Sequence, residues 1–329
     1  MNETRTNLQK SAGLPDVNVL DFLTKYFIQS LLVVAALGLG AVNPYFRTAT
    51  NAENVLLQAS FSGIGAAGMT LLIVSGAFDL SVAGLLGLCG VILAKLAPDI
   101  GVTLAIVAAL VTGFVLGLVN GVVVTKLQIP PFIATLGMMN IYVALAFIAS
   151  AGQVIPASDV TFQFLGTGTL FGVLPVPFVV MILIYVICRG ILSRTKLGRY
   201  LRAVGSNEIA ARTAGIPVDR VRIIAFGIVG GCTALAATFL TAELSSANAI
   251  MATGYELTVI AVVVIGGTSL KGGKGALFGS FAGALFFAMI SNALNIFGVG
   301  AYWQYVVTGL FLISALAVQA LRSSFQTAE

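Results

Sequence analysis

The sequence predicts an all-α, polytopic membrane protein of about ten transmembrane helices, some of them short or broken, with an internal repeat. Three observations carry that expectation. Of the 329 residues, 58% are hydrophobic and only 9% charged, where a soluble domain carries about a quarter charged; mean hydropathy is +1.04. A soluble chain so poor in charge could not cover its own core. The apolar residues also fall in long runs, such as 31–42, 100–124 and 281–290, and about 20 mainly apolar residues span the hydrocarbon as one helix. Finally, ten crossings from a cytoplasmic N-terminus place every Lys and Arg except Arg47 and Lys95 on one face. Basic loops resist translocation, so that face is the cytoplasm and both termini lie there.

In chain order, residues 1–26 read as a cytoplasmic tail. They are polar, hold Asp16 and Asp21, and contain no apolar stretch of signal-peptide length, so no cleaved signal is expected. Apolar runs between polar or Gly/Pro breaks place spans at about 27–46, 54–78, 80–97, 101–125, 132–150 and 172–190. Four more lie at about 223–242, 254–268, 275–296 and 302–321. Residues 27–321 thus make one membrane domain, and 322–329 a second cytoplasmic tail. Cys89, Cys188 and Cys232 sit singly in apolar runs, the pattern of buried inert thiols. The absence of His removes imidazole-based metal and acid–base chemistry. Residues 151–171 form the longest outside connection, read either as a plain surface linker or as a docking surface for an external partner.

Two pentapeptides match in type at every position. Phe78-Asp79-Leu80-Ser81-Val82 and Tyr255-Glu256-Leu257-Thr258-Val259 are each aromatic, acidic, Leu, hydroxyl, Val, and each follows a glycine, Gly76 or Gly254. Paired short or Gly-broken segments in two halves mark transporters built from repeats, and the crossing count gives these an inverted sense. An acid inside a membrane helix costs about 3 kcal/mol on insertion scales. Asp79 and Glu256 therefore either cap the helices that follow them or face a pathway.

The segment 189–222 carries eight basic residues and reads as a cytoplasmic loop. Within it, Ser206 or Asn207 can cap a helix, Glu208 sits in its first turn, Gly215 fits the C′ position and Pro217 blocks continuation. The loop thus presents a two-turn helix to another protein.

At this point the residues resemble a known family. The stretch 204–218 (VGSNEIAARTAGIPV) is similar to the coupling loop of permeases in the ribose, galactose and xylose group of ATP-binding cassette (ABC) importers. Residues 76–84 (GAFDLSVAG), 128–137 (QIPPFIATLG) and 265–275 (IGGTSLKGGKG) fit the same family in the same order, and the likeness covers roughly residues 50–320. The departure is Ala77 beside Phe78, where Gly-Ile or Gly-Gly neighbours are expected, which leaves the exact sugar open.

The resemblance implies a bacterial inner-membrane permease and not an enzyme. Its implied partners are an ATP-binding subunit, a periplasmic or lipid-anchored solute-binding protein, and a second permease copy or paralogue; no nucleic acid is expected. Gly205, Ser206, Asn207, Glu208, Ala210, Ala211, Arg212, Gly215 and Ile216 become the ATPase-coupling residues. ATP and magnesium would bind in the partner: no G-x-x-x-x-G-K-[ST] loop is present, and 268–275 lacks both the first Gly and the final Ser/Thr. Phe78, Asp79, Asn120, Phe132, Tyr255, Glu256, Asn292 and Trp303 are the candidate pathway residues, since aromatic, amide and carboxylate groups suit sugars; helix packing and caps explain them otherwise. Nucleosides, polyols such as inositol and branched-chain amino acids are the competing solutes. An ion-coupled secondary transporter using Asp79 and Glu256 is the alternative of another class.

Overall fold

The computed structural model of the chain describes residues 27–326; the expected tail 1–26 and residues 327–329 lie outside the described residues. The helices begin with α1 (Phe27–Val42), α2 (Ala49–Val74), α3 (Val82–Ile100), α4 (Val102–Lys126) and α5 (Pro131–Ser150). Next come α6 (Val160–Thr167), α7 (Val176–Arg194), α8 (Lys196–Ser206) and α9 (Glu208–Thr213). The chain closes with α10 (Val218–Leu244), α11 (Tyr255–Ile265), α12 (Leu277–Ile296) and α13 (Ala301–Gln326). Two two-residue ladders tie connections together: β1 (Ile155–Pro156) lies antiparallel to β4 (Ser246–Ala247), and β2 (Thr169–Leu170) to β3 (Leu174–Pro175).

Seven helices, namely α2, α3, α4, α5, α7, α10 and α12, are long and apolar enough to cross a membrane. The chain is a multi-pass membrane protein, and among the described residues seven of the ten expected crossings, which were to include short or broken ones, fall on these helices. The remaining three expected spans fall on α1, α11 and α13. With 11 residues, α11 rises only about 17 Å, short of the roughly 30 Å hydrocarbon. The described part of α1 ends at Asn43 and Pro44, where a 3₁₀ turn, Pro44–Arg47, follows. Helix α13 runs through Arg322 to Gln326, so the expected C-terminal tail begins as helix. The 189–222 loop is also more ordered than expected, because α7 continues to Arg194 and α8 and α9 fill the rest.

Helix α2 is the buried axis, while α4 and α5 turn most of their apolar surface outward, where lipid would cover it. An axial helix contacts neighbours on several sides and must be thin. A Cβ at Gly63 would strike Met181 of α7, one at Gly65 the Tyr255 hydroxyl of α11, and one at Gly68 Cys232 of α10. Between α4 and α10 the backbones touch directly. A Cβ at Gly117 would meet the Phe226 carbonyl, and one at Gly230 the Gly113 carbonyl. This is the small-residue packing that brings membrane helices together in the absence of a hydrophobic driving force.

The segment 151–171 is a packed cap, not a plain linker. Phe162 of α6 is fully buried, Asp159 accepts a hydrogen bond from its N–H at 3.0 Å, and Gly166 lies flat on the backbone of Ala242 and Glu243.

Gly117→Leu and Gly230→Leu should each force α4 and α10 apart. We expect loss of most folded protein in the membrane, or a fall in stability beyond the 1–3 kcal/mol typical of overpacking. Gly137→Leu, with open space around it, should leave yield and melting temperature in detergent unchanged.

Candidate functional site

The four stretches that carry the family resemblance converge on one end of the bundle. Their meeting point is the C-terminal end of α2. Its carbonyls find donors one by one: Leu72 O from Ser75 N (2.9 Å) and Ser75 Oγ (2.6 Å), Ile73 O from Gly76 N (2.9 Å), and Val74 O from Gly273 N (2.9 Å). Ser75 O accepts from Arg222 Nη2 at 3.4 Å. Gly205 packs against the Val74 carbonyl and Gly273, and a Cβ on Gly272 would touch Gly76 Cα. Gly76 and Gly272 hold φ of 81° and 87°, left-handed values that glycine adopts without steric cost.

On this base stands α9. Asn207, not Ser206, is its cap: Asn207 Oδ1 accepts from Ala210 N at 3.0 Å, while Ser206 ends α8. Its C-terminus closes as expected. Ile216 N donates to Ala211 O and Gly215 N to Arg212 O, both at 3.0 Å, with Gly215 at φ 78°, the paired bonds of a Schellman motif.

Ion pairs fix the helix to the bundle. Glu208 bonds Arg212 at 3.0 Å and Arg222 at 2.7 Å; Arg212 also reaches Asp219 at 2.8 Å, and Asp219 reaches Lys126 at 2.8 Å. Partial burial would raise the Glu208 carboxyl, but Arg222 and Arg212 outweigh it and hold the group below its ordinary range. Ala211 is buried, so it seats the helix; Ile209, at 80% exposure, is the residue that projects. The sequence reading missed Ile209 as a contact, and it counted Lys126, Arg222 and Asp219 only as charges or not at all. The spacing of Glu208, Arg212 and Asp219 by four and seven residues was the available signal.

Beside α9 opens a cleft of about 550 Å³ lined by Gly76, Val124, Gln128 to Pro131, Glu208, Arg212, Asp219 and Arg222. Gln128 holds φ 56°, a left-handed conformation costing a side-chain-bearing residue about 1–2 kcal/mol.

The candidate pathway residues do not form one site: Asp79 and Asn120 meet, and the others lie outside their hydrogen-bonded network. Asp79 and Asn120 are fully buried in a closed network. Asp79 Oδ1 accepts from Ser81 N at 2.8 Å, Asn120 Nδ2 donates to Asp79 Oδ2 at 3.1 Å and Ser81 Oγ at 2.7 Å, and Tyr142 donates to Asn120 Oδ1 at 2.7 Å. Leu80 N completes it by donating to Thr135 Oγ1 at 3.0 Å. Asp79 thus turns the chain into α3 through a bond two residues on, as an Asx turn does. Glu256 is different. It lies inside the first turn of α11 and has a buried oxygen without a partner. Phe132 and Trp303 are exposed, Phe78 is half-buried, and Asn292 is buried with Oδ1 unpartnered. The two pentapeptides do open antiparallel helices. The start of α3 and the turn leaving α11 share the α2 end, where Gly273 bonds Val74.

Among the described residues, no cluster of three or more His, Cys, Asp or Glu could hold a metal. The three cysteines are buried and free.

Ionised Glu208 stabilises this end of the molecule fully above about pH 4.5, and the contribution disappears as pH falls through its lowered folded value. Protection factors for amide exchange over residues 208–216 should therefore stay flat from pH 7 to 5 and fall only once the pH drops below the ordinary glutamate range. In Glu208→Gln, exchange should be fast already at pH 7.

Comparison with known proteins agrees with this geometry. The family described as "Branched-chain amino acid transport system / permease component" matches residues 51–316. The ribose import permease protein of Escherichia coli K12 is 38% identical over 294 residues, 88% of this chain and 91% of that one. The L-arabinose transport system permease protein of the same organism is 39% identical over 276 residues, 83% of each. The fructose import permease protein of Rhizobium meliloti is 34% identical over 298 residues, 88% of this chain and 83% of that one. No solved structure matches. With most of its length matched by the family and by these relatives, the chain belongs to the branched-chain amino acid transport system / permease component family of membrane permeases.

Proposed function

We propose that the chain is the membrane-spanning permease subunit of an ABC importer for a simple sugar of the pentose or hexose class, delivered by an external binding protein. The observation that carries this reading is α9. It is a short helix capped at both ends, held on an ion-paired base against the end of the axial helix, with Ile209 thrust outward. A solvent-facing isoleucine on so rigid a mount suits an apolar pocket in a partner. The relatives named for ribose, arabinose and fructose support the sugar class.

In this reading an ATP-binding subunit docks on α9 and supplies hydrolysis, ATP and magnesium, and a second copy or paralogue completes the pore. Helices α1, α11 and α13 join the seven long spans as short or broken crossings of a bacterial inner membrane, with both termini cytoplasmic. Closing of the ATPase dimer would move α9, and through Glu208, Arg222 and Ser75 the broken segment between α2 and α3, exchanging access between the two sides. An ion-coupled carrier would use carboxylates facing a path; the closed hydrogen bonding of Asp79 argues against that role.

Affinity purification of the tagged chain in mild detergent should recover an ATP-binding subunit, identified by mass spectrometry. Ile209→Asp should cut that recovery at least tenfold while leaving the chain folded. Recovery of the chain alone, still moving sugar in liposomes under an ion gradient, would overturn the importer reading.

A further inference from the structure

At the other end of the bundle lies a cavity of about 300 Å³, at the small end of ligand-sized pockets. It is an open cavity lined by the N-terminal half of α2, the C-terminal parts of α10 and α12, the 251–254 turn, and the beginnings of α11 and α13. Gln58, Ser62, Tyr255, Thr258, Gln304 and Thr308 bring amides and hydroxyls to its wall. Phe61, Phe287 and Tyr305 add aromatic faces, and no Asp, Glu, Lys or Arg is among its lining residues.

The wall is built rather than accidental. Tyr255 donates to Phe61 O at 2.9 Å, and Gly65 leaves the space its hydroxyl occupies. Gly254, at φ 84°, lets Tyr305 close over the start of α11; a Cβ there would stand 2.8 Å from the ring. Thr308 and Thr258 donate to Gln304 O and Gly254 O at 2.7 and 3.2 Å, which leaves their oxygens free to accept from a ligand.

We propose that this cavity is where a neutral polyhydroxylated solute of monosaccharide size is held during passage, entering from the face opposite α9. Hydroxyl and amide groups match a molecule whose every polar group both donates and accepts, and aromatic faces cover its C–H surface. A zwitterionic amino acid or a phosphorylated sugar would bring charges that no ionised side chain in the wall neutralises, and their desolvation would go uncompensated. Of the eight pathway residues expected from the sequence, only Tyr255 lines the cavity.

The inference rests on the importer reading, and the two can fail separately. The complete complex in proteoliposomes, with its binding protein, is assayed for ATP-driven uptake of D-ribose, L-arabinose and D-fructose. Thr258→Phe, which fills the cavity, should lower uptake at least tenfold while the ATPase still co-purifies. In Ser291→Cys, a lining position, a water-soluble maleimide should label the new thiol, and the transported sugar should slow labelling several-fold. Leucine should give no protection. Normal uptake by Thr258→Phe, or labelling unaffected by a sugar that the wild-type complex transports, overturns the cavity. A wild-type complex that moves no sugar with ATP overturns the importer reading instead. Should Thr258→Phe fail to accumulate, the labelling decides.

Discussion

The carbonyl groups at the C-terminal end of α2 are buried away from water, so each must find a donor inside the protein. That requirement organises the whole of one face. Val74 recruits the backbone of Gly273, which folds the Gly-rich turn after α11 under the bundle. Ser75 recruits Arg222 from α10, and Arg222 in turn holds Glu208 of α9. Close approach of the backbones then demands glycine at 205 and 272, where a Cβ would strike the Val74 and Gly205 carbonyls, while Gly76 is required by its left-handed φ of 81°. The separate stretches of sequence that meet at this face thus answer one physical problem.

The second constraint is thickness. A helix surrounded by others cannot be uniformly bulky, and α2 answers with glycine, alanine and serine across its middle. Each small residue seats a different neighbour, so α7, α10 and α11 are positioned by the places where α2 lacks side-chain volume. Dispersion contacts between such closely approaching surfaces replace the hydrophobic drive that lipid removes.

Much of this was legible in the sequence, and the failures are instructive. Hydropathy located the long apolar helices but not the short α6, whose residues read as a connection, and the caps of α9 followed from Asn207, Gly215 and Pro217. Length was harder. Apolar character continues through 254–268 and 27–46, but the helices stop at Ile265 and Val42, where a glycine turn and Asn43-Pro44 intervene. The pathway residues were chosen by side-chain chemistry alone, and chemistry cannot say whether an amide faces a cavity or another side chain. Asn120 faces Asp79, Ser81 and Tyr142. Gln58, Thr258 and Gln304 face the cavity, and only the packing of α2 against α11 and α13 tells the two groups apart. Ile209 was missed because a lone isoleucine in a polar loop carries no periodic signal.

The two ends of the molecule differ in chemistry and share one helix. At one end α2 terminates in an ionic lattice of Arg, Lys, Glu and Asp; toward the other it lends Gln58, Phe61 and Ser62 to a wall without charge. Its 26 residues form a rod of about 39 Å, long enough to reach both. Along that rod the only contacts able to rearrange cheaply are at the extremes. The middle is locked by interpenetrating small residues, whose rearrangement would cost packing on several sides together. Tyr255 is bonded to Phe61 O and lines the cavity, and α11 leads from it to the turn that bonds Val74. Helices α2 and α11 with that turn therefore close a loop of direct contacts between the ionic end and the cavity.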